Sequence, residues 1–254
     1  MQSRRQPAAS PTALRRAGEA AHAPGEFVGQ ESFVRAGEIR ALAGRAGIGP
    51  GVAVLDLCCG TAGPGRMITA ESGCRYLGVD TSASALATAR ALAGGLPCRF
   101  EQAHVPPLPA GRFDVMLLLE TMLAFRDKAP LVDAVAGALP PGGRFACTVE
   151  EGPPLAPGER AVMPHADTVW PIDLAELTDL LGAAGLAVTW QEEWTAAHAA
   201  TATALLRSYE ADAEGISAAI GGAALADLLR AHRTWGDWLG SGRVRKFALV
   251  AEKR

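Results

Sequence analysis

The sequence predicts an α/β protein built on a doubly wound, mostly parallel sheet. Three observations lead to this fold class: apolar runs of strand length alternate with helical patterns, their connections are short, and a Gly-rich turn follows the first run. The chain has 254 residues, 49% hydrophobic and 20% charged, which is enough to bury a sizeable core. We therefore expect helices on both faces of the sheet, joined to the strands by right-handed crossovers.

The N-terminal segment, residues 1–25, is predicted to be a mobile tail in front of a single domain over residues 26–254. Arginines stand there among Ala, Ser and Pro, which superficially resembles a transit peptide, but a signal-peptide hydrophobic stretch is missing. Apolar residues at helical spacing over 33–46 then predict a helix that precedes the first strand and could cover a ligand.

The next part of the chain alternates regularly between the two kinds of element. β-branched and apolar runs predict five strands, at 52–58, 75–79, 97–101, 113–119 and 143–149. Between them, helical patterns follow Pro64 and cover 83–93 and 129–139. Such alternation implies parallel pairing of these strands.

After Glu150 the sequence becomes rich in proline, and loop 151–172 is a candidate substrate-covering loop because loops of this length are often functional. A helix over 174–184, a sixth strand over 186–193 and a last strand over 242–251 follow. The segment 195–241 between these two strands reads as a helical insertion of two helices. It either roofs one edge of a pocket or completes the core.

Composition narrows the class of partner. A formal net charge of -3 and a pI near 6.0 argue against nonspecific binding to nucleic acid or to a membrane surface. No apolar run reaches the ~18 residues of a membrane span. The five cysteines form no Cys-x-x-Cys pair, so no metal site is predicted, and a reducing cytoplasm is the expected location. A small-molecule partner is the expectation; the oligomeric state is left open.

Candidate binding residues stand where the predicted parallel strands end, because ligands of open α/β sheets bind outside those carboxyl ends. Asp56 closes the first strand, and Gly60 and Gly63 follow in its turn. Asp80 ends the second strand, 24 residues after Asp56, where an acid can accept hydrogen bonds from both hydroxyls of a ribose. Gln102 and Ala103, Leu119 and Glu120, and Glu150 end the next three strands. Together they predict one crevice for a ligand that contains a nucleoside.

The spacing of the Gly-rich turn separates two cofactor classes. Its glycines fall at 60, 63 and 65, which does not fit the dinucleotide pattern Gly-x-Gly-x-x-Gly. The run Val54-Leu-Asp-Leu-Cys-Cys-Gly-Thr-Ala62 instead resembles the first motif of the class I S-adenosylmethionine-dependent methyltransferases, with Cys58 and Ala62 where glycines are usual. Tyr76 to Ser82, Gly111 to Glu120, Leu139 to Phe145 and Gly242 to Glu252 continue the resemblance in the family's order.

The resemblance implies a seven-stranded Rossmann-like methyltransferase fold with an antiparallel last strand, and S-adenosyl-L-methionine as cofactor. It implies that Asp80 holds the ribose, that Gln102 and Ala103 border the adenine, and that Leu119 and Glu120 lie near the methionine part. Asp56 and Gly60 would shape the loop around the carboxylate. The candidate cofactor site also takes in neighbouring residues of these motifs: Cys58, Thr61, Ala62 and Thr81.

The implied reaction is an in-line transfer of a methyl group to a nitrogen, oxygen or carbon of a small metabolite. A general base is optional, because an amine that binds neutral needs none. Glu150 and His165 are the predicted catalytic candidates, ahead of Glu151 and His198, and Trp170 is predicted to contact the substrate. Cys58 and Cys59 are interpreted as small turn residues rather than nucleophiles.

Three other functions remain open at this point. The same fold could use the bound sulfonium in a non-methylating reaction such as a cyclisation. The protein could also be a nicotinamide-dependent oxidoreductase, or a noncatalytic binding protein.

Overall fold

The computed structural model describes residues 11–254, which form ten α-helices and seven strands around one mixed sheet. The strand order is β3-β2-β1-β4-β5-β7-β6. The strands are β1 (Ala53–Leu57), β2 (Arg75–Asp80), β3 (Cys98–Gln102), β4 (Val115–Leu118), β5 (Arg144–Glu151), β6 (Leu186–Glu193) and β7 (Arg245–Lys253).

Strands β1 to β5 pair in parallel, and β7 lies antiparallel between β5 and β6. The predicted doubly wound sheet with an antiparallel last strand is confirmed. Its central strands are buried on both faces, which is why β1 and β4 read as continuous apolar runs rather than as alternating ones.

Helices cover both faces of the sheet. Five of them pack against it: α2 (Ala36–Arg45), α3 (Gly63–Ser72), α4 (Ala83–Ala93), α5 (Ala129–Ala138) and α7 (Leu174–Ala183). One core, which includes Leu131 and Leu177, lies under α5 and α7, and a second, which includes Ile39 and Leu86, lies under the other three. Side-chain caps begin two of the helices: Ser82 accepts a hydrogen bond from the backbone N–H of Ala85, and Asp173 accepts one from that of Ala175.

The segment before β7 forms a helical layer of α8 (Thr195–Ala211), α9 (Ala213–Ile220) and α10 (Gly222–Ser241). The sequence predicts two helices in this segment, the second over 216–239, whereas the structure divides that second helix into α9 and α10. Gly221 separates them because its φ of 88° is left-handed and ends α9.

The structure differs from the predicted tail over residues 11–25, because Pro11–Ala21 form helix α1. Its small residues Ala13 and Ala17 pack against Leu205 and Tyr209, and Ser208 donates a hydrogen bond to the carbonyl of Ala17. A helix face built from alanines carries little periodic signal, so the sequence does not reveal it. The rest of the predicted tail, residues 1–10, lies outside the described residues.

The predicted loop 151–172 contains a short helix, α6 (Pro157–Val162), and a 3-10 turn over Ala166–Thr168. Over residues 11–254, no helix is both long and apolar enough to cross a membrane.

Candidate functional site

A cavity of about 210 Å³ lies at the carboxyl ends of β1 and β4. One wall is the turn between β1 and α3, the second is the segment after β4, and the third is the chain that leads into α2. The lining residues are Gly29 to Ser32, Val34, Asp56, Cys58 to Thr61, Gly63, Pro64 and Leu119 to Thr121. A cavity is therefore present at the predicted edge of the sheet, but of the five strand ends that predict one crevice only those of β1 and β4 line it.

The turn after β1 has left-handed backbone at every second residue. The φ angles are 58° at Cys58, 55° at Gly60 and 54° at Ala62. An L-residue in this conformation costs about 1–2 kcal/mol, whereas glycine adopts it freely. The alternating glycines of the resembled motif thus match a backbone requirement, and Cys58 and Ala62 adopt that conformation at a cost.

Asp80 connects the ends of β1 and β2. Its carboxylate accepts hydrogen bonds from the backbone N–H of Gly60 at 2.9 Å and from that of Ser82 at 2.8 Å. Each oxygen takes one of these bonds, so each retains acceptor capacity. The predicted ribose-binding carboxylate is held beside the cavity by two backbone donors.

Asp56 lines the cavity, and its carboxyl is buried against Tyr76. The Tyr76 hydroxyl donates a hydrogen bond of 2.6 Å to Asp56 Oδ2. Burial raises the pKa of Asp56 to about 7; the Tyr76 bond opposes this rise and the charge of Asp80 adds to it. The side chain therefore carries a proton over much of the acidic range.

The thiols of Cys58 and Cys59 are poor nucleophiles in this setting. Burial, followed by the charges of Asp80 and Asp56, raises the pKa of Cys58 to about 12, and burial raises that of Cys59 further. A protonated thiol neither attacks nor binds a metal. The arrangement supports the interpretation of both residues as turn residues.

Residues 29–34 form a cover over the turn. A Cβ at Gly63 would lie 2.5 Å from the carbonyl oxygen of Val28, so only glycine allows the cover to approach α3 this closely. Gln30 organises the cover: its side chain accepts from the N–H of Val28 and donates to the carbonyls of Glu26 and Val34. The cover is thus a fixed wall of the cavity.

Two further carboxylates face the cavity. Glu120 has left-handed backbone, with φ 58°, and its N–H donates to Thr148 Oγ1 at 2.6 Å. Burial opposes ionisation of Glu120, but the charges of Lys246 and His198 outweigh it and lower its pKa. The surrounding protein and the charge of Asp80 raise the pKa of Glu31, in the cover. None of the described lining residues is basic, and the ionised carboxylate of Glu120 favours a ligand with positive charge.

The predicted cofactor residues divide into those that line the cavity and those beside it. The lining includes six: Asp56, Cys58, Gly60, Thr61, Leu119 and Glu120. Ala62 is buried beneath the turn. Gln102 donates from Nε2 to the carbonyl of Thr81, and the N–H of Ala103 donates to the carbonyl of Asp80, so these residues lie together at the ends of β2 and β3.

The predicted catalytic and substrate residues lie outside the cavity lining. Glu150 is buried in an ion pair with Lys246. His165 is exposed in the loop after β5. The ring of Trp170 lies between two guanidinium groups, 3.9 Å from Arg160 and 4.8 Å from Arg126. The structure does not bring these three predicted residues into the cavity, and their roles stay predictions.

Sequence reasoning passed over Glu31, Glu38 and Lys246. Lys246 is 1% exposed in β7 and contacts both Glu120 and Glu150. A lysine at an inward position of an otherwise apolar strand is a signal that strand alternation could have revealed. The burial of Glu38 depends on its tertiary partners and leaves no such pattern.

Comparisons with known proteins identify a methyltransferase domain in this chain. A family model described as a methyltransferase domain matches residues 54–143. The chain is 31% identical over 153 residues to an uncharacterized methyltransferase of Synechocystis, which covers 56% of this chain and 69% of that protein. The chain belongs to the class I S-adenosylmethionine-dependent methyltransferase family.

Solved structures share the fold at low sequence identity. The cyclopropane synthase MmaA2 from Mycobacterium tuberculosis superposes with a TM-score of 0.81 and 14% identity, over 95% of this chain and 94% of that one. The [4+2]-cyclase SpnF superposes with a TM-score of 0.75 and 21% sequence identity, over 94% of this chain and 90% of that one. At these identities the likeness concerns the fold alone.

Proposed function

We propose that this protein binds S-adenosyl-L-methionine in the cavity and transfers its methyl group to a small-molecule acceptor. The observation that carries the proposal is the carboxylate of Asp80, fixed by the N–H of Gly60 beside a left-handed turn at the carboxyl edge of the sheet. Membership of the methyltransferase family supports the same reading.

The residues around the turn fit such a ligand. A Cβ built on Gly60 would have no atom within 4 Å, so the space in front of the turn is open. Asp80 retains acceptor capacity for a pair of ribose hydroxyls. The acidic side chains of Asp56, Glu31 and Glu120 suit an ammonium or sulfonium group, and no basic side chain of the described lining opposes it.

When bound, S-adenosylmethionine supplies a methyl group on a positively charged sulfur, which is an activated leaving group. The protein's own task is then to orient and to exclude water. The cover seals one side of the cavity, and Gln30 fixes it through three hydrogen bonds. Holding two reactants in near-attack geometry can supply about 7–11 kcal/mol.

A general base is not required if the acceptor is an amine that binds neutral, whereas a hydroxyl or an acidic carbon would benefit from one. Glu120 is the ionised carboxylate in the lining, and its lowered pKa makes it a better partner for positive charge than a proton acceptor. We therefore favour an amine acceptor over a hydroxyl or a carbon. A catalytic role of Glu150 would require its ion pair with Lys246 to open, and one of His165 would require the loop after β5 to move.

The size of the cavity and the absence of a net basic charge support a small metabolite rather than a nucleic acid as acceptor. The five cysteines are free thiols, which supports a reducing compartment, and we propose the cytoplasm.

A second candidate is a ring-forming reaction on the same fold. It is favoured by one observation, the structural likeness to a [4+2]-cyclase and to a cyclopropane synthase. A ring closure within the substrate leaves the cofactor intact, whereas methyl transfer releases S-adenosylhomocysteine. Because cyclopropane formation also takes its added carbon from the cofactor, NMR of the product must distinguish an N-methyl group from a cyclopropane ring.

The proposal is tested by Asp80→Asn, with Asp114→Asn as its matched control. Asp114 also accepts a backbone N–H, from Ala53, but at the opposite end of β1. Hydrogen bonds to a charged group are worth about 1.5–3 kcal/mol, so Asp80→Asn should weaken S-adenosylhomocysteine binding roughly 10- to 150-fold, measured by calorimetry. Asp114→Asn should leave affinity within about twofold of the wild type, a change of about 0.4 kcal/mol. Equal affinity for both variants would refute the assigned site.

A further inference from the structure

A row of charged side chains, all buried or nearly so except the half-exposed Arg35, leads from the start of α2 to Glu120 in the cavity lining and on to β5. Arg35 Nη2 lies 2.7 Å from Glu38 Oε1, and His198 Nε2 lies 3.4 Å from Glu38 Oε2. His198 Nδ1 lies 3.9 Å from Glu120 Oε2 on its other side. The row continues from Glu120 Oε1 to Lys246 Nζ at 2.7 Å, and from Lys246 to Glu150.

His198 stands in the middle of this row with 0% of its side chain exposed. Its ring stacks on Trp194 and meets the edge of Phe33, and neither contact satisfies a ring nitrogen. Among the described residues, neither nitrogen has a hydrogen bond that meets ordinary geometry. The polar atoms nearest to them are carboxylate oxygens.

The protonation state of His198 decides whether it can serve both carboxylates. A neutral imidazole donates from one nitrogen and accepts at the other, while the imidazolium donates from both. Carboxylates accept only, so a neutral ring leaves either Glu38 or Glu120 facing a lone pair. The two-sided placement fits the protonated ring.

Charge balance leads to the same state. The row contains three carboxylates, those of Glu38, Glu120 and Glu150, and two fixed cations, Arg35 and Lys246. A protonated His198 brings the row to neutrality, which a buried cluster requires because unpaired buried charge is costly. Burial acts against ionisation of Glu38, but the neighbouring side chains of His198 and Arg35 outweigh it and lower the pKa of Glu38.

The two carboxylates stand on different elements, and only Glu120 lines the cavity itself. Glu120 lines the wall that follows β4, whereas Glu38 lies in the first turn of α2, directly after the cover of residues 29–34. A contact between them through His198 joins the cover to the sheet.

We propose that His198 is a positioning residue whose protonated ring lies between the carboxylates of Glu38 and Glu120 and holds them together. Closure of the cavity and its affinity for the ligand then depend on the proton that His198 carries. The inference deepens the proposed function and rests on it for the identity of the ligand. Loss of the proton releases one carboxylate and loosens the cover. Ligand affinity therefore falls as the pH rises through the titration of His198.

The groups that face His198 come from every element packed around it: Glu38 and Arg35 at the start of α2, Glu120 after β4, and Lys246 of β7 behind Glu120. Neighbouring groups lower the pKa of both Glu38 and Glu120, so the proposal concerns the proton on the ring that lies between these two carboxylates.

The test combines a spectroscopic readout with binding. NMR of ¹⁵N-labelled histidine follows the protonation of His198, and calorimetry follows S-adenosylhomocysteine affinity from pH 5.5 to 8.5. We expect both ring nitrogens to carry protons at the acidic end, and the dissociation constant to rise about tenfold as His198 loses one. A neutral ring throughout, or an affinity that is constant while the ring titrates, would overturn the proposal.

His198→Gln should bind S-adenosylhomocysteine about tenfold more weakly at pH 5.5 and show a flat pH profile. His232→Gln is the matched control, because the partly buried His232 also packs on Phe33 but contacts the carbonyl of Leu228 instead of a carboxylate. It should keep the wild-type profile. A wild-type profile in His198→Gln would overturn the proposal.

Hydrogen exchange without ligand separates this proposal from the proposed function. Amides of residues 29–38 should exchange faster, after correction for intrinsic rates, once His198 is deprotonated, whatever the cavity binds. If the protection of these amides does not change with the protonation of His198, the proposed role of His198 is wrong. If the protection does change but S-adenosylhomocysteine does not bind at any pH, the role of His198 is supported and the proposed ligand is wrong.

Discussion

The Tyr76 hydroxyl donates a 2.6 Å hydrogen bond to Asp56 in the centre of the sheet. The two residues lie on neighbouring parallel strands, β2 and β1, and both are buried. This bond is too weak to offset the burial of the carboxyl, whose pKa remains near 7. The first strand of the cofactor site therefore ends in an acid that titrates close to neutrality.

Asp56→Asn should remove a pH dependence of stability. The pKa of Asp56 is raised from 3.8 to about 7 on folding, so the folded state binds more protons between these values and the free energy of unfolding falls as pH rises through this window. The asparagine variant should lack this fall, which is on the order of 3 kcal/mol between pH 4 and 8. Urea denaturation at both pH values measures it. Asp114→Asn, at an exposed site, should retain the wild-type fall; an unchanged fall in Asp56→Asn would contradict the pKa assignment.

Substitutions at Cys58 should reveal the left-handed turn. Cys58 has a φ angle of 58°, so Cys58→Gly relieves backbone strain but loses a partly buried side chain. The stability of this variant should stay within about 1 kcal/mol of the wild type. Cys58→Val places a β-branched residue in this conformation and should destabilise by about 2–3 kcal/mol. Denaturation midpoints compare the two, and equal stability of the glycine and valine variants would argue against a left-handed residue here.

Gly63→Ala should displace the cover. The added Cβ would lie 2.5 Å from the carbonyl oxygen of Val28 and 2.8 Å from that of Gly29, and backbone atoms cannot give way cheaply. S-adenosylhomocysteine affinity should fall at least tenfold, which is about 1.4 kcal/mol. Gly182→Ala is the control, because nothing lies within 4 Å of its Cβ position in α7. It should gain about 0.5–1 kcal/mol of stability with unchanged affinity. Unchanged binding in Gly63→Ala would show that the cover does not close the site.

Lys128→Met should loosen the loop after β5. The buried Nζ donates to the carbonyls of Phe125 and Trp170, both at 2.8 Å, and burial lowers the pKa of Lys128. Loss of the ammonium group leaves both carbonyls without this hydrogen-bond donor. We therefore expect a destabilisation of about 2 kcal/mol and faster tryptic cleavage after Arg160. In the control Lys253→Met, which loses a single bond to Ala184 far from this loop, cleavage after Arg160 should keep its wild-type rate. If trypsin cleaves both variants after Arg160 at the same rate, Lys128 does not hold this loop in place.

The sequence predicts the order of strands and helices well, because strands such as β1 and β4 are buried on both faces and are read as unbroken apolar runs. It does not predict helix α1, whose alanine face packs on α8, or the break at Gly221. These features depend on distant partners or on a single backbone angle.

The candidate site is predictable where chemistry follows a strand end, as at Asp56, Asp80 and Glu120. Sequence reasoning alone did not place Glu38 beside His198, because the pairing joins α2 to α8 across 160 residues. It also ranked Glu150 as a catalytic group, whereas that carboxylate is paired with Lys246 in the structure. Ion pairs between distant elements leave no local pattern.

The central claim is that the cavity beside Asp80 binds S-adenosylmethionine, and a calorimetric titration of the wild-type protein tests it most directly. S-adenosylmethionine, S-adenosylhomocysteine and NAD should be titrated in parallel at pH 6. We expect micromolar binding of both sulfur nucleosides, about -8 kcal/mol, without NAD binding. Binding of NAD alone, or of none of the three, would contradict it.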